Sequence, residues 1–87
     1  MRKALDSPYK LIFVRWEDSA RPISAWQWID DYQIPNTVEC VSVGYLIAET
    51  GDAIAIAPNL GDISQKRIQA SGIIRIPRSA IRSMTKL

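Results

Sequence analysis

The stretch Val38-Glu39-Cys40-Val41-Ser42-Val43-Gly44-Tyr45-Leu46-Ile47-Ala48-Glu49 decides the fold, together with its continuation through Thr50-Gly51-Asp52 into Ala53-Ile54-Ala55-Ile56-Ala57. β-Branched and aromatic residues fill the first run, a Gly-Asp pair turns the chain, and an alternating run returns. This predicts a long strand over 38–49, a tight turn, and a second strand over 53–57. On the long strand, Glu39, Val41, Val43, Tyr45 and Ile47 share one face, and Cys40, Ser42, Gly44, Leu46 and Ala48 share the other. The larger set is expected to fill the interior, leaving the small set open to close approach by a backbone, a loop or a flat ligand. Gly44 in mid-strand marks a bend, as strongly curved small barrels require.

Working outward, Tyr9 to Trp16 (YKLIFVRW) reads as the first strand, apolar on both faces. Glu17 to Pro35 is a long connection. Within it Ser24 to Asp31 suits a turn or two of helix, with Ser24 as N-cap and Trp26 and Ile29 on one face. Loops this long in small domains are usually functional or lie over a groove. Pro58 to Asp62 is a turn cluster, and Ile63 to Ser71 is polar with little pattern. Gly72 to Ile76 and Ile81 to Leu87 form a last strand pair, interrupted at Pro77-Arg78-Ser79-Ala80, where proline cannot donate to a ladder. The fold class is therefore mainly β, a small five-stranded barrel with a long Trp-containing loop or short helix after its first strand. Residues 1–8 are expected to be a flexible tail, and residues 9–87 a single domain.

Composition prunes the functions. The chain has 87 residues, 47% of them hydrophobic, so one globular domain is expected. There is no histidine and one cysteine, Cys40, which excludes His-based catalysis, an intramolecular disulfide and a four-ligand zinc site within one chain. No phosphate-cradling glycine motif is present. No apolar run approaches the ~20 residues that span a bilayer, and the N-terminus lacks a secretory apolar region. A cytoplasmic protein without cofactor is the simplest expectation. An enzyme using Asp30 and Asp31 with a divalent metal is disfavoured, because adjacent carboxylates on a strand point to opposite faces.

Charge is lopsided. Trp16 to Asp52 holds seven acids and one base, whereas Ile63 to Leu87 holds six bases and no acid. Either the basic end meets an anionic ligand, or it meets the acidic segment of a neighbouring copy; a solvated face is the plain alternative. Trp16, Trp26 and Trp28 are candidates for stacking on a base, worth about 1–3 kcal/mol per base, or for packing the loop onto the domain. Arg75, Arg78 and Arg82 are candidates for phosphate contacts through planar guanidinium forks. Asp18 and Ser19 suit a ribose hydroxyl or base edge, or a turn cap.

The strand order, and the ending Ile76-Pro77-Arg78-Ser79-Ala80-Ile81-Arg82-Ser83-Met84, resemble Sm-like and SH3-like barrels, the ending being similar to that of the bacterial Sm-like RNA chaperone. There a Lys-His pair binds uridine-rich RNA in a ring; here Arg78 and Ser79 stand at those positions. A second resemblance spans most of the chain. Val14-Arg15-Trp16-Glu17-Asp18-Ser19, Trp26-Gln27, Cys40 to Leu46, Ala57-Pro58 and Ile76-Pro77 look like a group of small phage and prophage proteins. That resemblance implies a virion or host-takeover accessory, or an oligomer that traps a cyclic nucleotide signal of antiphage defence. The expected function is thus non-enzymatic: a homo-oligomer binding a nucleotide or short oligonucleotide. A protein-interaction module and an Sm-like RNA-binding protein are the alternatives.

Overall fold

Seven strands, all antiparallel where they pair, make up the chain's regular structure in the computed structural model, which describes residues 8–19 and 23–87. They are β1 (Leu11–Asp18), β2 (Val38–Glu49), β3 (Ala53–Ala57), β4 (Asn59–Gly61), β5 (Gln69–Ser71), β6 (Ile74–Pro77) and β7 (Ile81–Lys86). Five form one sheet in the order β6-β3-β2-β1-β7, and β4 pairs with β5 in a separate ribbon. The protein is mainly β, as the alternation in 38–57 predicts, and β2 and β3 have the expected bounds. The tail expected over 1–8 falls, apart from Pro8, outside the described residues.

The barrel is not closed. β6 and β7 leave the 3₁₀ turn at Arg78–Ala80 toward opposite edges of the sheet and do not pair with each other. β6 is only four residues long and ends on Pro77, which has no N–H to offer a ladder. Two further differences lie in 58–71, where a turn cluster and a patternless excursion are expected. Asn59–Gly61 and Gln69–Ser71 instead form the β4–β5 ribbon. Three-residue strands are too short to show alternation in sequence.

Curvature replaces closure, and two bulges produce it. Leu46 faces Ile56 while Ala48 faces Ala55, so Ile47 is an extra residue in β2. Arg15 faces Ser83 while Trp16 faces Ile81, so Arg82 is an extra residue in β7. Each insertion bends its strand and raises the local twist. Arg78 binds at Glu49 and Thr50, near one end of β2, and Arg82 binds Glu17, beside the other end. Four residues span at most ~14 Å, so the curled sheet brings its two ends close together.

The interior inverts the expectation for β2. Directly opposed residues share a face. Ile12 opposes Gly44, Val14 opposes Ser42 and Leu46 opposes Ile56, so the small set of β2 faces the core as far as Leu46, whereas Ala48, beyond the bulge, opposes Ala55 on the outer face. Ile12, Val14, Ile54, Ile56 and Ile76 are buried there, with Trp16, Leu46, Ala80 and Ile81 packed against them. Val41 and Val43, expected inside, are 61% and 48% exposed on the outer face, opposite Arg15 and Phe13. The reason is geometric. The inside of a tightly curled strand has least room, and a Cβ on Gly44 would lie 3.0 Å from the Ala57 carbonyl oxygen.

Candidate functional site

Between β1 and β2 the chain leaves the sheet as an arm. Its root is fastened by one carboxylate: Thr37 Oγ1 donates to Glu17 Oε1 (2.7 Å), and Arg82 Nε donates to Glu17 Oε2. The Thr37 hydroxyl first, then the Arg82 guanidinium, hold the Glu17 carboxyl below its ordinary range. Arg82 is aimed at Glu17 because it is the bulged residue of β7, and its Nη1 also donates to the Ser79 carbonyl (3.1 Å). Asp18 Oδ1 accepts the Ser19 amide N–H (2.8 Å), so the pair forms a cap where the arm departs.

Beyond this root every described residue from Ile23 to Glu39 is exposed. Helix is confined to a 3₁₀ turn at Ile29–Asp31, with Trp28 rather than Ser24 before it and no side-chain cap. The helix expected over 24–31 does not form, because nothing packs against its apolar face, and short isolated helices are unstable in water. Trp26 is 102% and Trp28 82% exposed, so neither packs the loop onto the domain.

A cleft of about 470 Å³ opens at the arm's root. β1 contributes Arg15, Trp16 and Glu17; β2 contributes Glu39, Cys40 and Val41; β7 contributes Arg82 and Ser83. Two of the eight candidate residues, Trp16 and Arg82, therefore meet here. Trp16 is half-buried against the core, and its Nε1 donates to Ser42 Oγ (3.0 Å), which fixes the ring and uses its only polar donor. Arg15 opposes Val41 and Ser83 on the outer face and has no carboxylate partner among the described residues. Chemically the cleft offers one uncommitted guanidinium, a second one held by Glu17, a fixed indole, and the Glu39 carboxylate, which has no cationic partner among the described residues and faces any anion that Arg15 would bind.

The other candidates lie outside the cleft. Arg78 donates from Nε to the Thr50 carbonyl (2.6 Å) and from Nη2 to Glu49 Oε1 (3.1 Å), and its amide N–H donates to the Asp52 carbonyl (2.8 Å). It clamps the β2–β3 turn onto the end of β6. Arg75 is exposed on β6 opposite Ala55. Asp18 and Ser19 stand at the root, and Trp26 and Trp28 on the arm. Sequence reasoning misses Arg15 and Glu39. The available signal is a lone cation on an otherwise apolar strand face, since Arg15 follows Leu11 and Phe13 in register.

No protein-family model, curated protein or solved structure matches this chain. Among the described residues no helix is long and apolar enough to cross a membrane.

Proposed function

We propose that this chain is a homo-oligomeric binding protein that holds a small anionic, nucleotide-like ligand without turning it over. The observation that carries the reading is the cleft at the arm's root, where the uncommitted Arg15 guanidinium and the half-buried Trp16 line one space of about 470 Å³. That volume falls within the ~300–1,000 Å³ typical of small-molecule sites. A guanidinium grips phosphate oxygens through a planar fork, and an indole edge or face supports a base. The sheet order, with its two edge strands joined by a 3₁₀ turn, supports kinship with Sm-like and SH3-like barrels, which serve as binding scaffolds. For a phage-type protein in a bacterial cytoplasm, the concrete version is sequestration of a cyclic nucleotide signal of the host.

The test is native mass spectrometry of protein purified from cells, with and without cyclic di- and trinucleotides, ADP-ribose derivatives and short RNAs. A nucleotide-sized mass on a discrete oligomer is the expected result. Arg15→Ala should then weaken binding roughly 10- to 100-fold, as loss of a charge-assisted contact does. A ligand-free species throughout the panel overturns the reading, and wild-type affinity in Arg15→Ala overturns the site.

A protein-interaction module is the second reading, favoured by the exposed apolar side chains of the arm. It differs by binding no nucleotide while retaining a macromolecular partner.

A further inference from the structure

The arm and the outer sheet face are two apolar surfaces left uncovered within one copy. On the arm, Ile23, Trp26, Trp28, Ile29 and Ile34 are each at least 72% exposed. On the face, Val41 and Val43 are exposed and Phe13 half-buried beside them, next to the cleft that Val41 itself lines. Soluble monomers rarely expose contiguous apolar surface on this scale without a partner. The arm does not reach its own face. Its root is fastened through Glu17, Thr37 and Arg82, and every residue from Ile23 to Thr37 is exposed, as are Val41 and Val43 on the face.

We infer that two copies of this chain exchange arms, each laying Trp26 and Trp28 over the outer face of the other, so that the partner's arm roofs the cleft lined by Arg15. Three properties select a second copy over a different partner. The two surfaces occur once each per chain, so reciprocal exchange uses both and closes with two-fold symmetry. Charge offers one pairing: Arg15 on the receiving face, which also carries Glu39, has no carboxylate partner among the described residues of its own copy, and Asp30 and Asp31 follow the tryptophans on the arm. Area is adequate, since each tryptophan brings roughly 150–250 Å² and two arms with their isoleucines reach the ~1,200–2,000 Å² of a stable interface. The exchange also supplies what the cleft lacks. Trp16, half-buried and tied to Ser42, supplies one wall, and an arm tryptophan from the partner supplies a second above Arg15.

The exchange rests on the binding reading only for the role of the roofed cleft; otherwise it stands on the arm and face alone. The decisive experiment is light scattering behind size exclusion on four samples: wild type, the arm variant Trp26→Ala/Trp28→Ala, the face variant Val41→Asp/Val43→Asp, and an equal mixture of the two variants. All substituted residues are exposed, and near-ultraviolet circular dichroism of the face variant, which keeps every tryptophan, reports that its fold is kept. Wild type is expected as a dimer, each variant alone as a monomer, and the mixture as a dimer again, because one intact arm then meets one intact face. Monomeric wild type, or variants that remain dimeric, overturns the exchange. A mixture that stays monomeric while wild type dimerises overturns the arm-to-face pairing. Nucleotide titration of the same samples separates the two ideas. A dimer that binds nothing leaves the exchange standing and removes the binding reading, whereas a monomer that binds nucleotide overturns the exchange and the oligomeric part of that reading and leaves only the ligand.

Discussion

Gly44 is the residue on which the curvature of the sheet depends. It sits on the inner face of β2 opposite Ile12, and a Cβ built there meets the carbonyl oxygen, carbon and nitrogen of Ala57 at 3.0, 3.1 and 3.2 Å. All three are backbone atoms of a paired strand, so relief requires β3 to move away from the inner face. Gly44→Ala should therefore lower stability by about 1–3 kcal/mol, read as a reduced urea midpoint at unchanged slope. An unchanged midpoint would mean that β2 and β3 have more freedom than this contact implies. The mid-strand glycine is legible in sequence as a bend, but the side of the strand it faces is not. Residue size suggests that Val41, Val43 and Tyr45 fill the interior. Size decides burial where the interior is roomy, whereas on the inside of a tight curl the available space decides, and the small residues win.

At the scale of elements, one carboxylate ties three segments together. Glu17 on β1 accepts from Thr37 at the arm's end and from Arg82 in the β7 bulge, and both contacts hold its carboxyl below the ordinary value near 4.5. A lowered folded-state value means that the anion's contribution is fully present above the unfolded-state value and is lost as pH falls through the folded one. The stability gap between wild type and Glu17→Gln should be constant near neutrality and shrink below about pH 4.5. Thermal midpoints of the two proteins across pH 3 to 7 would check this, the numbers marking roughly the carboxylate titration range. A gap that persists at the acid end would show that the introduced amide, not the lost charge, disturbs the root. This clamp joins residues 20 and 65 positions apart in sequence, so no local pattern announces it. The strands that carry it are legible, because alternation and turn residues act over a few neighbours. The bulge at Arg82 is not, since a one-residue register shift is visible only once β1 and β7 are paired. The same limit explains the candidate arginines. Their clustering near the C-terminus is plain in sequence, but Arg78 and Arg82 are engaged by Glu49 and Glu17, distant in the chain.

For the whole molecule, the arm and the core are separable. Ile12, Val14, Ile54, Ile56 and Ile76 form the buried cluster, and none comes from the segment 23–37. Replacing residues 23–36 with a short Gly-Ser linker removes no buried side chain and keeps Thr37 for its contact with Glu17. Shortening a flexible connection changes closure entropy only slightly, about 0.6 kcal/mol per halving of its length. The arm-less chain should thus unfold within about 4 °C of wild type at low protein concentration. Concentration then separates two origins of stability. An assembly held by exchanged arms gains apparent stability by mass action as concentration rises, whereas a monomer gains none. Wild type should therefore show a melting temperature that climbs with concentration, and the arm-less chain a flat one. If the arm-less chain is unfolded even when dilute, the arm supplies contacts within its own copy that the strands cannot replace. If both chains climb together, association runs instead through the open edges of β6 and β7, which the deletion leaves intact.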